Sequence, residues 1–167
     1  MMDETRFKML YDLTSVPLLS YILRVTGEKA TADDVFQEAY IRMLQHETDV
    51  DVTKQKAYLF ATATNLIRDH WRRVRRERRW EEEDAEQTSH GENEIDLRYG
   101  VEEALQEIST QQRSLLWLAY VEGYRHDEIA SMLKLREKSV RVLLYRARRR
   151  LSEICRSMGI RKEEIND

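Results

Sequence analysis

One cysteine, one proline and five glycines are all that 167 residues offer of the types that cross-link, break or sharply turn a chain. The lone Cys155 excludes an internal disulfide and a cysteine-based zinc cluster. His46, His70, His90 and His126 are scattered without ligand spacing, so no metal or cofactor is expected. Scarce proline and glycine beside abundant Leu, Ala, Glu and Arg favour helices, and an all-α protein is expected. No apolar run approaches the roughly eighteen residues of a membrane span, and the start MMDETRFKML is charged where a signal peptide needs an apolar core. No membrane insertion and a cytoplasmic location are therefore expected. A Gly-rich phosphate loop, a GxSxG elbow and an HExxH helix are also missing. The carboxylates come in runs, as on solvated helix faces, so no acid/base pair stands out and the chain does not read as an enzyme.

What the chain has is charge, and it is sorted. The net charge is only -3, yet the sixteen residues Asn65 to Trp80, NLIRDHWRRVRRERRW, hold seven arginines. Residues 81 to 107 then hold eleven acids and one arginine, and residues 134 to 150 are basic again. Separated blocks of one sign point to an anionic partner met at two places, with an acidic connector between them.

Apolar residues at helical spacing place the elements. Phe7, Leu10 and Tyr11, then Leu18, Tyr21, Ile22 and Val25, mark a first run ending at a Gly27 C-cap, and Pro17 is expected to split it in two. In the next helix Thr31 is the expected N-cap, Val35, Phe36, Ala39, Tyr40 and Met43 form one face, and Asp34, Glu38, Ile41, Arg42 and Gln45 the other. A long helix is expected from about Lys56 to about Arg79, with Leu59, Ala63, Leu66, Ile67, His70 and Val74 inward. Asn65, Arg68, Arg72, Arg75, Arg76 and Arg79 form a separate stripe of about 20 Å. Repulsion along that stripe opposes folding unless something negative compensates it. The stretch from Glu81 to Tyr99 has no apolar period and reads as a flexible tether. Helices resume near Val101.

The last helices carry a second pattern. Ile129, Ala130 and Leu133 make the inner face of a short helix, Lys134 to Lys138 the turn, and Ser139 the N-cap of a helix with Val140, Leu143, Leu144, Ala147 and Leu151 inward. Lys138, Arg141, Val142, Tyr145, Arg146 and Arg149 face outward. This is the layout of a helix-turn-helix, whose second helix enters the DNA major groove.

Four stretches, ADDVFQEAYIRML, KAYLFATATNLIRDHWRR, STQQRSLLWLAYVEGYRHDEIASML and KSVRVLLYRARRRL, occur in an order that resembles the extracytoplasmic-function (ECF) sigma factors of bacterial RNA polymerase. The resemblance implies two small helical domains, residues 1–80 and 100–167, joined by the acidic linker 81–99. It implies transcription initiation through core RNA polymerase and promoter DNA, and family members are often held inactive by an anti-sigma factor. By resemblance, Asp33, Asp34, Gln37, Glu38 and Arg42 bind core polymerase. Tyr58, Asn65, Arg68, Arg72, Arg73, Arg75 and Arg76 meet the -10 element as it melts, with Phe60, Trp71 and Trp80 as further aromatic groups nearby. Lys138, Ser139, Arg141, Val142, Tyr145, Arg146 and Arg149 meet the duplex -35 element. KSVRVLL departs from the family's usual Gly-Thr-Val-Lys-Ser-Arg-Leu, placing Val142 and Leu143 where Ser and Arg are common. Lys134 stands where the turn often has glycine, and Ile108-Ser109 where Leu-Pro is common. A stand-alone helix-turn-helix regulator, and an interaction protein that holds polymerase or an anti-sigma factor without opening DNA, remain as alternatives.

Overall fold

The computed structural model describes residues 2–46, 51–81 and 100–160, and every regular element among them is helical. Helix α1 spans Glu4–Thr26, α2 Lys29–Gln45, α3 Val52–Glu81, α4 Gly100–Glu107, α5 Thr110–Leu116, α6 His126–Leu133 and α7 Glu137–Ser157. A π-helical turn, Trp117–Val121, extends α5. The all-α expectation holds. The tether expected at 81–99 lies, except for Glu81, outside the described residues.

The helices α1, α2 and α3 pack around Leu10, Leu18, Ile22, Val35, Ala39, Met43, Leu59, Phe60, Ala63 and Ile67, all buried. Two polar bonds fix their register inside this apolar packing: the hydroxyls of Thr14 and Tyr40 lie 2.6 Å apart, and those of Tyr21 and Thr64 2.7 Å apart. Burial raises the pKa of both tyrosines above its ordinary value, so both hydroxyls stay protonated. Gly27 does end α1, in the left-handed region at φ 69°, with its N–H on the Leu23 carbonyl.

Three local expectations are corrected. Pro17 does not split the first run: α1 is continuous through it. The missing N–H leaves the Leu13 carbonyl without a helical donor, but Leu13 is exposed and water can serve it. Thr31 does not cap α2, which begins two residues earlier after Glu28. Its hydroxyl donates instead to Glu28 Oε2 at 2.8 Å. Ser139 does not cap α7. The N-cap is Arg136, and Ser139 lies in the first turn with its N–H on the Arg136 carbonyl. The long basic helix also starts earlier than expected, at Val52.

The C-terminal helices close around Ala104, Ile108, Leu115, Leu118, Ile129, Leu133, Val140, Leu144 and Ala147. Ser109 caps α5 through a capping box: its Oγ accepts from the Gln112 N–H at 3.2 Å and Gln112 Oε1 accepts from the Ser109 N–H at 3.1 Å. Arg113 is buried, and Nη1 donates to the Leu105 and Gln106 carbonyls at 3.2 and 3.3 Å and to Gln106 Oε1 at 3.0 Å. It thereby serves carbonyls that the end of α4 leaves without helical donors. Desolvation lowers its pKa, although it remains a cation. Replacing it by methionine, R113M, keeps the bulk but strips those acceptors, and should cost about 2–4 kcal/mol of stability in chemical denaturation.

The turn between α6 and α7 is a Schellman-type cap. The N–H groups of Lys134 and Leu135 both reach the Ala130 carbonyl, the latter at 2.9 Å. Lys134 is the only non-glycine residue at positive φ among those described, at φ 54° and ψ 45°. The left-handed conformation costs a side-chain-bearing residue about 1–2 kcal/mol, partly offset because glycine loses more entropy on folding. The variant K134G should therefore be stabilised by up to about 1 kcal/mol, seen as a rise of a few degrees in melting temperature.

Candidate nucleic-acid interface

Helix α3 is about 45 Å long at 1.5 Å per residue. Its first half is packed, with Gln55, Leu59, Phe60, Thr62, Ala63, Thr64 and Ile67 buried. Between Arg72 and Arg79 only Val74 is even half-buried, and Arg72, Arg73, Arg75, Arg76, Arg78 and Arg79 are all exposed. The cations of the distal turns thus spread beyond the expected stripe, with Arg73 and Arg78 exposed beside it. Asn65 and Arg68 are half-buried at its base. Among the described residues its ion pairs are few, the clearest being Arg72 Nη1 to Asp69 Oδ1 at 3.7 Å, an exposed contact of little strength. Arg78 and Arg79 fall in the last turn, where a cation suits the helix dipole.

Tyr58, Asn65, Arg72 and Arg79 are seven residues apart, so they follow one line along α3 in steps of about 10 Å. Tyr58 is half-buried, with His46 stacked on its ring at a centroid distance of 4.6 Å and an interplanar angle of 5°. The stack pins the Tyr58 ring against the end of α2. Phe60 is fully buried and serves the core, and Trp71 is half-buried.

On α2, Asp33, Asp34, Gln37 and Arg42 are exposed and Glu38 is half-buried. Glu38 Oε1 accepts from Arg42 Nε at 2.7 Å, one turn on. Asp34, Gln37 and Glu38 share an open cleft of about 360 Å³ with His70 and Arg73 of α3. Arg73, grouped by sequence with the -10 residues, therefore lies beside the acidic face of α2, and the two candidate surfaces adjoin.

In the helix-turn-helix, Val140, Leu144 and Ala147 of α7 are buried, while Lys138, Arg141, Val142, Tyr145, Arg146 and Arg149 are exposed and Ser139 is half-buried. Val142 is 48% and Tyr145 56% exposed, so two apolar surfaces sit in the middle of a cationic ridge. Leu143 is half-buried and continues the inner face. Arg149 Nε pairs with Glu153 at 3.2 Å, whereas Arg141 and Arg146 make no hydrogen bond or ion pair among the described residues. Those two guanidinium groups are ready to pair with an external acceptor.

Sequence reasoning missed Arg113 and Glu122. Arg113 reads as a surface cation, and the only hint of burial is that it precedes the apolar run Leu115, Leu116, Leu118. Glu122 follows the π turn, with its N–H on the Trp117 carbonyl five residues back, and no sequence period anticipates that geometry.

Among the described residues no helix is long and apolar enough to cross a membrane, and no cluster of His, Cys, Asp and Glu has the arrangement of a metal site.

The family model for Sigma-70 region 2 matches residues 10–77, and that for Sigma-70, region 4 matches residues 99–151. The chain is 31% identical over 165 residues to the ECF RNA polymerase sigma factor SigL of Mycobacterium tuberculosis (strain ATCC 25618 / H37Rv), covering 95% of this chain and 93% of the relative. It is 26% identical over 178 residues to the ECF RNA polymerase sigma factor SigX of Bacillus subtilis (strain 168), covering 99% and 90%. Among solved structures it shares its fold with the sigma factor RpoE from Bartonella quintana in complex with the anti-sigma factor NepR. The TM-score is 0.71 at 20% identity, over 90% of this chain and 96% of that one. It also shares its fold with CnrH in complex with the cytosolic domain of CnrY, at TM-score 0.66 and 23% identity, over 93% and 90%. With both regions matched in order and a relative similar along nearly its whole length, the chain belongs to the ECF family of RNA polymerase sigma factors.

Proposed function

We propose that this sigma factor works through two domains with separate tasks. Residues 1–80 hold core polymerase through the polar face of α2 (Asp33, Asp34, Gln37, Glu38, Arg42) and engage the -10 element through α3 as its bases leave the stack. Residues 100–167 read the -35 element as a duplex through α7, and the acidic segment 81–99 joins the two domains in sequence. The observation that carries this reading is the bare distal part of α3, on which the cations have almost no internal partners. Guanidinium groups pair with phosphate through a planar fork and stack on bases, and the release of condensed counterions makes such binding steeply salt-dependent. Tyr58, Asn65, Arg68, Arg72, Arg73, Arg75 and Arg76 are the groups assigned to this task.

On α7, Arg141 and Arg146 take base edges or phosphates, supported by Lys138, Ser139 and Arg149. Val142 and Tyr145 offer apolar contact of the kind that a thymine methyl accepts in the major groove. The protein supplies binding energy and position and catalyses no bond change. The solved neighbour RpoE was captured with an anti-sigma factor, and an anti-sigma partner of that kind fits this chain as well.

The test is run-off transcription on genomic fragments with purified core polymerase, with and without the protein. Discrete new transcripts that require the protein are expected. Tight duplex binding by the protein alone, with no dependence on core polymerase, would instead favour a stand-alone regulator.

A further inference from the structure

The two halves of the chain do not sit apart. Helix α3 lies against α6, and α1 against α5. Lys56 Nζ is 3.0 Å from Glu122 Oε2, and the Glu122 side chain is only 7% exposed. One turn further along α3, Phe60 meets Tyr124 edge-on at 6.1 Å. Two turns beyond that, Arg68 Nη2 donates to the Leu133 carbonyl at 2.7 Å. That carbonyl belongs to the last turn of α6, where helix geometry leaves acceptors without donors. Beyond this bond an open cleft of about 570 Å³ has Arg68, Arg72 and Arg75 on one wall and Ser109, Thr110 and Gln111 on the other.

At about 100° per residue the side of α3 that faces the seam (Phe60, Thr64, Ile67, Trp71) and the stripe assigned to promoter DNA (Asn65, Arg72, Arg76) occupy neighbouring sectors, with Arg68 and Arg75 on their boundary. A DNA strand on that stripe therefore runs along the border of the C-terminal half, and it needs Arg68, which the Leu133 carbonyl already holds.

The seam is also imperfect. The Tyr124 hydroxyl and the indole N–H groups of Trp71 and Trp117 are buried there without a hydrogen-bond partner among the described residues. A buried donor left unserved opposes closure, while the ion pair and the Arg68 bond favour it. Such a balance shifts when a ligand binds only the open form.

We propose that the free sigma factor is held shut by a polar latch on α3, Lys56 to Glu122 and Arg68 to the Leu133 carbonyl, and that promoter DNA and closure compete for the same side of that helix. This rests on the reading that the arginine stripe takes DNA, and the test separates the two. Small-angle scattering measures the radius of gyration of the free, full-length protein. Fluorescence anisotropy measures its affinity for a short labelled single-stranded DNA of mixed sequence. Compared with wild type, E122K and K56E should both expand the protein. Removing the closed population should raise DNA affinity several-fold, to about tenfold. The gain in K56E matters most, because that variant adds negative charge, which by itself weakens DNA binding. The charge swap K56E/E122K should return both the radius and the affinity toward wild type, which a merely misfolded variant would not do. An unchanged radius in both single variants, or a swap as expanded as they are, overturns the latch. Expansion without tighter DNA binding in K56E overturns the competition. Failure of every protein, wild type included, to support run-off transcription would refute the proposed function and leave the scattering result to decide the latch.

Discussion

Reversing three charges on the distal part of α3, in R72E/R75E/R76E, is expected to abolish promoter opening while leaving the fold and the binding of core polymerase intact. The three arginines are exposed, and their internal contacts are slight: a 3.7 Å pair between Arg72 and Asp69, and a 3.4 Å bond from Arg75 Nε to the Trp71 carbonyl. Stability therefore has little to lose. It even stands to gain, because like charges one turn apart repel, and the reversal relieves that crowding. DNA binding has much to lose. Three lost phosphate contacts lower the slope of log affinity against log salt by about 3 on duplex DNA, and the new carboxylates add repulsion. A loss of at least about a hundredfold in open-complex formation, roughly 3 kcal/mol, should follow. Circular dichroism, the melting temperature and co-elution with core polymerase serve as the unchanged controls. A variant that melts as well as wild type yet opens no DNA is the expected combination.

The second large effect concerns α7. Single variants R141A and R146A should each weaken -35 recognition by about 1–3 kcal/mol, or roughly 5- to 150-fold, measured as promoter binding in the presence of core polymerase. The manner of loss assigns the contact. An arginine that pairs with a guanine edge loses discrimination at one base pair. One that pairs with phosphate weakens all sequences alike and lowers the salt slope by about 1. Neither guanidinium has an internal partner among the described residues, so truncation should cost the fold little and leave the proposed DNA contact as the quantity that changes. Arg149 is a weaker candidate, because Glu153 already competes for it at 3.2 Å.

Much of this architecture is legible in the chain. Apolar spacing alone locates the faces of α7, with Val140, Leu144 and Ala147 buried and the six outward residues exposed. It also locates the packed side of α2 through Val35, Ala39 and Met43. Helix ends are less legible, because capping is decided by a few backbone N–H groups and several residue types can serve them. Glu28 and Arg136 occupy cap positions where Thr31 and Ser139 look chemically better suited. Pro17 misleads in a similar way: its disruption of a helix matters less when the carbonyl it orphans faces water.

Contacts between distant segments are not legible at all. Nothing in the local pattern pairs Lys56 with Glu122, or Arg68 with the end of α6. Arg113 is hidden for a related reason, since a buried cation is tolerated only because the end of α4 happens to present it with acceptors. The family's frequent glycine at the helix-turn-helix turn gains a physical explanation. The position requires positive φ, and Lys134 meets that requirement under strain.

The most direct test of the whole account is permanganate footprinting of a responsive promoter with core polymerase, in the presence of either the wild-type protein or R72E/R75E/R76E. Reactive, unpaired thymines are expected at the -10 region with wild type and none with the variant, although both bind polymerase. Equal thymine reactivity with the two proteins would contradict it.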